Sequence, residues 1–243
     1  MELSKRLQAV ADLVTAGCRV ADVGTDHAYI PIALVQEGRI PGAVAMDVNT
    51  GPLERARLHV AENRLEEKIE LRLSDGLAAL SPGEADSVVI AGMGGGLVIR
   101  ILTEGAQTVR GVKECILQPQ SEIEKVRAFL LEEGFLFLQE NMVLEDGKYY
   151  PMMKVQPPKS EAVHSDASGN GVCAWNETEL RYGKLLLESR NEVLHSFLQR
   201  EIRMKEQILR NLRGKDSDRI AGRRNELEQE LKYAEKGMEY YAL

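Results

Sequence analysis

The fold of this chain is decided by the stretch Val20-Ala21-Asp22-Val23-Gly24-Thr25-Asp26-His27-Ala28-Tyr29-Ile30-Pro31. It begins as a short apolar strand, turns at a glycine and enters the apolar run of a helix. A strand, a glycine turn and a helix in this order open a nucleotide-binding α/β sheet, in which ligands lie outside the carboxyl ends of the strands. We therefore expect the active site at this turn, with Asp26, His27 and Tyr29 as candidate catalytic residues.

The turn lacks most of the dinucleotide-binding fingerprint. Where G-x-G-x-x-G brings bare backbone up to a pyrophosphate, this chain keeps Gly24 and places Asp26 and Ala28 in the turn. A carboxylate repels a diphosphate and favours a cation, such as the sulfonium and ammonium of S-adenosylmethionine (AdoMet). The turn indicates AdoMet rather than NAD as cofactor, bound by Asp22, Gly24 and Asp26.

Composition predicts an ordinary globular protein with one sizeable core and an accessory unit, because the 243 residues are 44% hydrophobic and 28% charged. No apolar run reaches the length of a membrane span, and the amphipathic N-terminus lacks a cleavage site, so we expect a cytoplasmic protein. The three cysteines are Cys18, Cys115 and Cys173. Their spacing makes neither a metal-binding pair nor a disulfide framework, which predicts buried thiols and no metal.

Charge is distributed unevenly along the chain. The formal net charge of −7 combines a balance of −8 over residues 1–175 with +1 over residues 176–243. Because phosphate neutralisation needs Lys and Arg, the C-terminal part is the candidate nucleic-acid surface, with Arg200, Arg203 and Arg210 as substrate contacts. Charged residues on a long helix are also typical of a plain solvated face.

Short β-branched runs alternate with helical patterns after an amphipathic first helix near residues 1–14. This alternation predicts an α/β fold with a mostly parallel, doubly wound sheet. We expect strands near 19–23, 43–47, 69–73, 87–91 and 114–118, with intervening helices near 30–38, 51–64, 96–107 and 121–133. Two further runs, 135–144 and 148–155, meet at Asp146-Gly147, which predicts a β-hairpin.

A polar linker containing Pro, Gly and Ser spans residues 156–176 and predicts two domains, 1–158 and 176–243. The second domain carries two apolar stripes at helical spacing, interrupted near Gly214, which predict an antiparallel coiled-coil helical hairpin. Lys205 and Arg224 interrupt the stripes, so we expect a partly open seam. A coiled coil permits an oligomer, and a monomer fits the pattern equally well.

Further candidate cofactor residues follow the other strands. Asp47 ends the second strand, where an acid binds ribose hydroxyls, and Asp75-Gly76 follow the third, where they would lie near adenine. After the fourth strand, Gly92, Met93 and Gly94 mark a place where backbone passes close to a ligand. Each feature has a structural alternative: an acid after a strand is often a turn residue, and glycines also permit tight packing.

Leu117-Gln118-Pro119-Gln120 follows the fifth strand, and its amides could face a base edge, although proline there is often only a stop. We take Gln118 and Pro119 as candidate substrate residues. His27 is a candidate acid or base, or a hydrogen-bonded scaffold residue. Tyr29 is a candidate stacking partner, or simply a buried aromatic.

The chain resembles the bacterial tRNA (adenine-22-N1)-methyltransferase family, which are class I AdoMet-dependent enzymes. The resemblance spans the whole chain and depends on five motifs: residues 3–7 (Leu-Ser-Lys-Arg-Leu), 22–31, 91–95, 117–119 and 145–150. It implies AdoMet-dependent methylation of N1 of adenine 22 in the D-arm of tRNA, and we take Lys5 and Arg6 as further candidate substrate contacts.

N1 of adenine has an in-plane lone pair, so alignment rather than a strong base is needed. The adenine must leave its stack in the tRNA before it can enter the site, and Tyr29 would then hold it there by stacking. Asp26 would stabilise the positive charge that develops on the adenine. Two alternatives remain: an AdoMet-dependent methyltransferase acting on another RNA or a non-RNA substrate, and a non-catalytic adaptor that binds partners through its coiled coil.

Overall fold

The computed structural model describes residues 2–159, 175–212 and 218–242. The chain divides into two compact units, residues 1–170 and 171–243. The middle of the predicted linker, including Cys173, and the predicted helix break at Gly214 lie outside the described residues. The two units are therefore described separately.

The first unit contains a seven-stranded sheet with strand order β3-β2-β1-β4-β5-β7-β6. Strands β1 to β5 pair in parallel, and β7 pairs antiparallel with both β5 and β6. This confirms the predicted doubly wound, mostly parallel sheet. The strands are β1 (Val20–Val23), β2 (Ala43–Asp47), β3 (Ile69–Leu73), β4 (Ser87–Gly94), β5 (Glu114–Ser121), β6 (Leu136–Glu145) and β7 (Lys148–Gln156).

Helices cover both faces of the sheet. Along β1, Ala21 and Val23 belong to one buried apolar cluster and Val20 to the other. Because both faces are buried, β1, β2 and the first half of β4 are nearly continuous apolar runs, which is why their positions could be predicted. The edge strand β3 is buried only at Ile69. The helices of this unit are α1 (Lys5–Leu13), α2 (Tyr29–Gln36), α3 (Thr50–Glu62), α4 (Gly95–Glu104), α5 (Ala106–Val109) and α6 (Ile123–Glu132).

Strands β4 and β5 are longer than predicted and extend to Gly94 and Ser121. The prediction that Gln118 and Pro119 follow the fifth strand is therefore wrong: both are buried inside β5. Proline is tolerated here because β7 pairs with β5 only from Cys115 to Leu117, so no ladder bond from this position to β7 is lost. On the other side, the register with β4 shifts between Ala91 and Gly94.

The β6–β7 hairpin confirms the turn predicted at Asp146-Gly147. Asp146 has a φ of 49° and Gly147 a φ of 73°. Positive φ at both central residues is the geometry of a type I′ turn, which matches the twist of the two strands that it joins.

The second unit contains two long helices that pack together, preceded by two short helices that the sequence did not predict. Their bounds are α7 (Glu177–Tyr182), α8 (Lys184–Glu188), α9 (Glu192–Leu212) and α10 (Asp218–Glu239). The long helices run antiparallel: the rings of His195 and Tyr241 stack at 4.6 Å, and further along α9 the Lys205 ammonium lies 3.5 Å from the Glu230 carboxylate. They form a helical hairpin; its description as a coiled coil stays a prediction.

Lys205 does not open the seam of this hairpin, contrary to expectation. Its side chain is buried and its ammonium binds the carboxylates of Glu201 and Glu230. Two acids compensate one buried cation, and the long methylene stem packs between the helices. The position is polar and nevertheless belongs to the interface.

Across residues 2–159, 175–212 and 218–242, no helix combines the length and apolar character needed to cross a membrane. The same residues contain no group of three or more potential metal ligands. Cys18 and Cys115 are free, buried thiols, as predicted, and burial raises the pKa of both.

Candidate active site

The turn after β1 is fixed by two backbone hydrogen bonds to the end of β2. The N–H groups of Gly24 and Thr25 both donate to the carbonyl oxygen of Met46, at 2.8 and 3.0 Å. Gly24 has a φ of 75°, and a Cβ at this position would lie 2.2 Å from Cε of Met93. The positive φ favours glycine here, and the missing Cβ lets the end of the Met93 side chain pack against the turn.

Two further residues of the turn have left-handed backbone conformations. Asp26 has a φ of 44° and Ala28 a φ of 55°, and the Ala28 N–H donates to Thr25 O at 2.9 Å. Left-handed conformations are uncommon for residues other than glycine and concentrate at functional sites. Helix α2 begins immediately afterwards at Tyr29.

A cavity of about 310 Å³ opens beside this turn, at the lower end of the range for small-molecule sites. It brings together seven of the predicted site residues: Arg6, Asp22, Gly24, Asp26, His27, Tyr29 and Gly92. Leu7, Thr25, Ile30, Ala91 and Gln120 complete the lining.

Asp22 is the buried acid of this cavity and is only 5% exposed. Its carboxylate accepts a 2.6 Å hydrogen bond from the Thr25 hydroxyl. Burial raises the pKa of the Asp22 carboxyl to about 6, and the charge of Asp47 adds to the rise, against the opposing hydrogen bond from Thr25. No cation pairs with this carboxylate among the residues that the structure describes.

Asp26 has a different environment, because its side chain is 54% exposed and binds a cation. The Arg55 guanidinium donates to Asp26 Oδ1 through Nη2 and, at 3.1 Å, through Nε. His27 Nε2 lies 3.5 Å from Asp26 Oδ2. An exposed pair of this kind contributes at most about 1 kcal/mol, so the Asp26 carboxylate is free to exchange partners.

His27 and Tyr29 belong to a cluster of three stacked rings. The centroids of His27 and Tyr29 are 4.9 Å apart, and the ring of His59 lies 5.1 and 5.2 Å from them. His59 Nδ1 also lies 3.2 Å from the carbonyl oxygen of His27. The Nδ1 atom of His27 is buried without a hydrogen-bond partner among the described residues.

Sequence reasoning missed Arg55 and His59, which contact Asp26 and His27 from α3. The available signal was their spacing, because residues i and i+4 lie on the same face of a helix. That spacing identifies a shared face, and the fold determines that this face meets the turn after β1.

Asp47 is not among the cavity-lining residues but ends β2 next to the turn. Its Oδ1 accepts a 2.9 Å hydrogen bond from the Asn49 N–H, which is the turn-residue role that the sequence left open. Asp75 is exposed and pairs with Arg100 at 2.9 Å. Gly76 has a φ of 57° and packs against Ile101. Neither Asp75 nor Gly76 is among the residues that line the cavity beside the turn after β1.

Gly92, Met93 and Gly94 lie within the last residues of β4 and do not follow the strand as predicted. Its two glycines have distinct structural roles. Gly92 has a φ of 81°, and a Cβ there would lie 3.5 Å from Arg6 Nη1 and 3.7 Å from Gln120 Nε2. Gly94 caps α4 beside Ser121. Met93 packs against Gly24 instead of lining the cavity.

Arg6 is positioned by residues of two other elements, β5 and β7. Its Nη1 donates to Oε1 of the fully buried Gln118 at 3.1 Å, and its guanidinium lies 5.6 Å from the ring centroid of Tyr150. Gln118 Nε2 also donates to Pro119 O. This second hydrogen bond orients the amide so that its oxygen accepts from Arg6. Lys5 is exposed, and its backbone N–H donates to Glu145.

Arg200, Arg203 and Arg210 lie on α9 of the second unit, and all three are exposed. Arg203 donates to Gln199 O at 3.2 Å, and Arg210 lies 3.8 Å from Glu206. These are local contacts within one helix, and they leave the basic side chains at the surface.

Comparison with known proteins identifies the family. Residues 3–153 match the family model described as a methyltransferase domain. The chain is 35% identical over 193 residues to the tRNA (adenine(22)-N(1))-methyltransferase of Bacillus subtilis (strain 168), covering 79% of this chain and 78% of the relative.

Solved structures agree over nearly the whole chain. The crystal structure of the B. subtilis m1A22 tRNA methyltransferase TrmK has a TM-score of 0.81 at 29% identity and covers 98% of this chain and 99% of its own. The structure of a Streptococcus pneumoniae protein in complex with S-adenosyl-L-methionine has a TM-score of 0.82 at 32% identity and covers 98% of this chain and 100% of its own. M. capricolum TrmK with S-adenosyl-homocysteine gives 0.78 at 27%, covering 99% of each chain. The chain therefore belongs to the family of bacterial tRNA (adenine-22-N1)-methyltransferases.

Proposed function

We propose that this protein transfers the methyl group of AdoMet to N1 of the adenine at position 22 of tRNA, in the cytoplasm. The observation that supports it most strongly is that one cavity combines a buried carboxylate, Asp22, with the stacked rings of His27 and Tyr29. A carboxylate without a cationic partner suits the cofactor, and an aromatic surface suits a base. Family membership supplies the substrate.

The residues present fit AdoMet. Asp22 offers a buried negative charge to the cofactor's cationic groups, and the Gly24 turn brings backbone close to the cavity without a Cβ. Asp47 Oδ2 makes no hydrogen bond within the described residues and would accept a hydrogen bond from a ribose hydroxyl of the cofactor. Gly92 lines the cavity without a side chain. Asp75 would approach adenine only after exchanging its pairing with Arg100.

The bound cofactor supplies a methyl group on a sulfonium: the N1 lone pair takes the methyl carbon, and the electrons of the broken C–S bond remain on sulfur. The protein has to align N1 and exclude water. We assign Tyr29 to holding the extruded base by stacking, and Asp26 to stabilising the positive charge that appears on the adenine ring. His27 joins these groups by stacking on Tyr29 and lying beside Asp26.

The direct test is incubation of unmodified tRNA with the protein and AdoMet, followed by mass analysis of the nucleosides. The proposal requires 1-methyladenosine in tRNA with adenine at position 22 and none when guanine replaces it. Methylation at another nucleoside would favour the broader methyltransferase alternative. Binding of AdoMet without methylation would favour the adaptor.

Replacing Asp22→Asn should stabilise the free protein while weakening AdoMet binding. Because its pKa is about 6 in the folded state, Asp22 keeps its proton longer when folded than when unfolded. The free energy of unfolding therefore falls as pH rises from about 4 to about 6. The variant lacks this penalty and should be more stable at pH 7 by up to about 3 kcal/mol.

Urea unfolding at pH 4 and pH 7, with and without AdoMet, measures both effects. Wild type and variant should converge at pH 4, where Asp22 is protonated and resembles asparagine. Affinity for AdoMet at pH 7 should fall by about 10-fold or more, the range for losing a charged partner. A variant that is no more stable at pH 7, or that binds AdoMet as tightly as wild type, contradicts the assignment.

Asp26→Ala should lower kcat by about 10-fold, less than a fully buried electrostatic group would, because Asp26 is half exposed. AdoMet affinity should change much less. Arg55→Ala is the matched control: it removes the partner of Asp26 and keeps the carboxylate.

If Asp26 acts through its charge, Arg55→Ala retains most of the wild-type kcat in single-turnover assays at saturating AdoMet. Equal losses of kcat in the two variants would show instead that the ion pair acts by tethering the turn. A loss confined to AdoMet binding would remove Asp26 from the methyl-transfer step.

We further propose that the domain limits are 1–158 and 176–243 and that α9 is a tRNA contact. Every assigned cofactor residue precedes the linker, and a chain ending at Pro158 should accordingly bind AdoMet but lose most of its activity on tRNA. Helix α9 has four basic and three acidic side chains, whereas α10 has five basic and six acidic ones. The excess of basic side chains on α9 favours it as the tRNA contact.

Replacing Arg200, Arg203 and Arg210 by Gln should weaken tRNA binding and flatten its salt dependence, by roughly one unit of log–log slope per lost phosphate contact. The matched control replaces the exposed Lys232 and Lys236 of α10 by Gln. Filter binding at several salt concentrations measures both variants. An unchanged salt slope in the α9 variant, or an equal change per charge in the control, would contradict a contact specific to α9.

A further inference from the structure

Gln120 is the one amide side chain in the described lining of the cavity. It lies at the end of β5, is exposed, and has no hydrogen-bond partner among the described residues. Gln118, two residues earlier, is fully buried and engaged with Arg6 and Pro119. The amide donor and acceptor of Gln120 are therefore available to a ligand, whereas those of Gln118 are not.

The sheet determines how far Gln120 lies from the catalytic turn. Strand β4 lies between β1 and β5, and neighbouring strands are about 4.8 Å apart, so the ends of β1 and β5 are separated by roughly 10 Å. Gly92 occupies the interval, and a Cβ on it would lie 3.7 Å from Gln120 Nε2. Gly92 and Gln120 line the same cavity of about 310 Å³ as the residues of the turn, and this cavity is where a flat base could lie between the turn and the amide.

Adenine offers a glutamine two edges, and methyl transfer allows only one of them. On the Watson–Crick edge, the amide N–H would donate to N1 and occupy the lone pair that must attack the methyl group. On the Hoogsteen edge, the amide oxygen accepts from the N6 amino group and the N–H donates to N7. This second pattern is the bidentate contact by which glutamine recognises adenine in nucleic acids, and it leaves N1 free.

We propose that Gln120 selects adenine by binding N6 and N7 of the target base, which leaves N1 open to methyl transfer. This inference rests on the proposed function and names its base-specificity residue. Guanine presents O6 and N7, two acceptors, so the amide oxygen would oppose O6. The Arg6 guanidinium also lies near Gly92, but it only donates hydrogen bonds and therefore cannot accept one from the adenine N6 amino group.

The test replaces adenosine 22 of tRNA by 7-deazaadenosine, in which N7 becomes C–H. The full-length wild type, Gln120→Ala and the control Gln118→Ala are compared by kcat/KM on both tRNAs. Wild type should lose up to about 10-fold on the 7-deaza tRNA, because one of the two hydrogen bonds from Gln120 is removed and the one to N6 remains. Gln120→Ala should be impaired on normal tRNA and show no comparable further loss.

Gln118→Ala should lower activity through Arg6 and keep the wild-type dependence on N7. The altered ring reactivity of 7-deazaadenosine is common to all variants and cancels when their ratios are compared. Gln120→Glu provides a second variant: its carboxylate accepts from N6 but repels the N7 lone pair, so it should prefer the 7-deaza tRNA.

A ratio of kcat/KM on the two tRNAs that is equal in wild type and Gln120→Ala overturns the inference. Failure of the proposed function is distinguishable, because wild type would then form no 1-methyladenosine in normal tRNA. Since Gln120 is exposed and makes no hydrogen bond within the described residues, its variants should retain the wild-type thermal midpoint and AdoMet affinity. This retention separates loss of recognition from loss of folding.

Discussion

The pair of hydrogen bonds from the Gly24 and Thr25 N–H groups to Met46 O is the constraint on which the site depends. It bends the chain at the end of β1 and attaches the turn to β2. Asp22 is thereby left in the cavity lining, while Asp26, His27 and Tyr29 reach the same cavity after the bend. The packing of Met93 against Gly24 links this bend to the end of β4, so three neighbouring strands determine the position of one turn.

Asp22 at the end of β1 and Asp26 in the following turn have opposite electrostatic environments, and each suits a different task. Asp22 is buried and its pKa is raised to about 6, so its charge destabilises the free protein and becomes favourable when a cation binds. Asp26 is half exposed and is bound to the Arg55 guanidinium, so its partner lies at the surface, where the pairing contributes little to stability. Stability is thus sacrificed at Asp22, where a buried charge has the greatest effect on a ligand.

Most of the fold and part of the site could be predicted from the sequence. Buried parallel strands are continuous apolar runs, and Asp146-Gly147 determines its hairpin locally, so these elements were identified. Arg55 and His59 were missed because their contacts with the turn depend on how α3 packs. Gln118 was preferred to Gln120 because β5 continues past its apolar run. Lys205 was misjudged because its acidic partners Glu201 and Glu230 are revealed only by helix pairing.

The most direct measurement for the claim that Asp22 is the counter-charge of the cofactor is proton release on AdoMet binding. Calorimetric titration near pH 6, repeated in buffers of different ionisation enthalpy, counts the protons exchanged. A cation bound beside Asp22 lowers its pKa, so wild type should release up to about half a proton per AdoMet more than Asp22→Asn, and this difference should vanish near pH 8. Equal proton exchange in wild type and Asp22→Asn at pH 6 would contradict the claim.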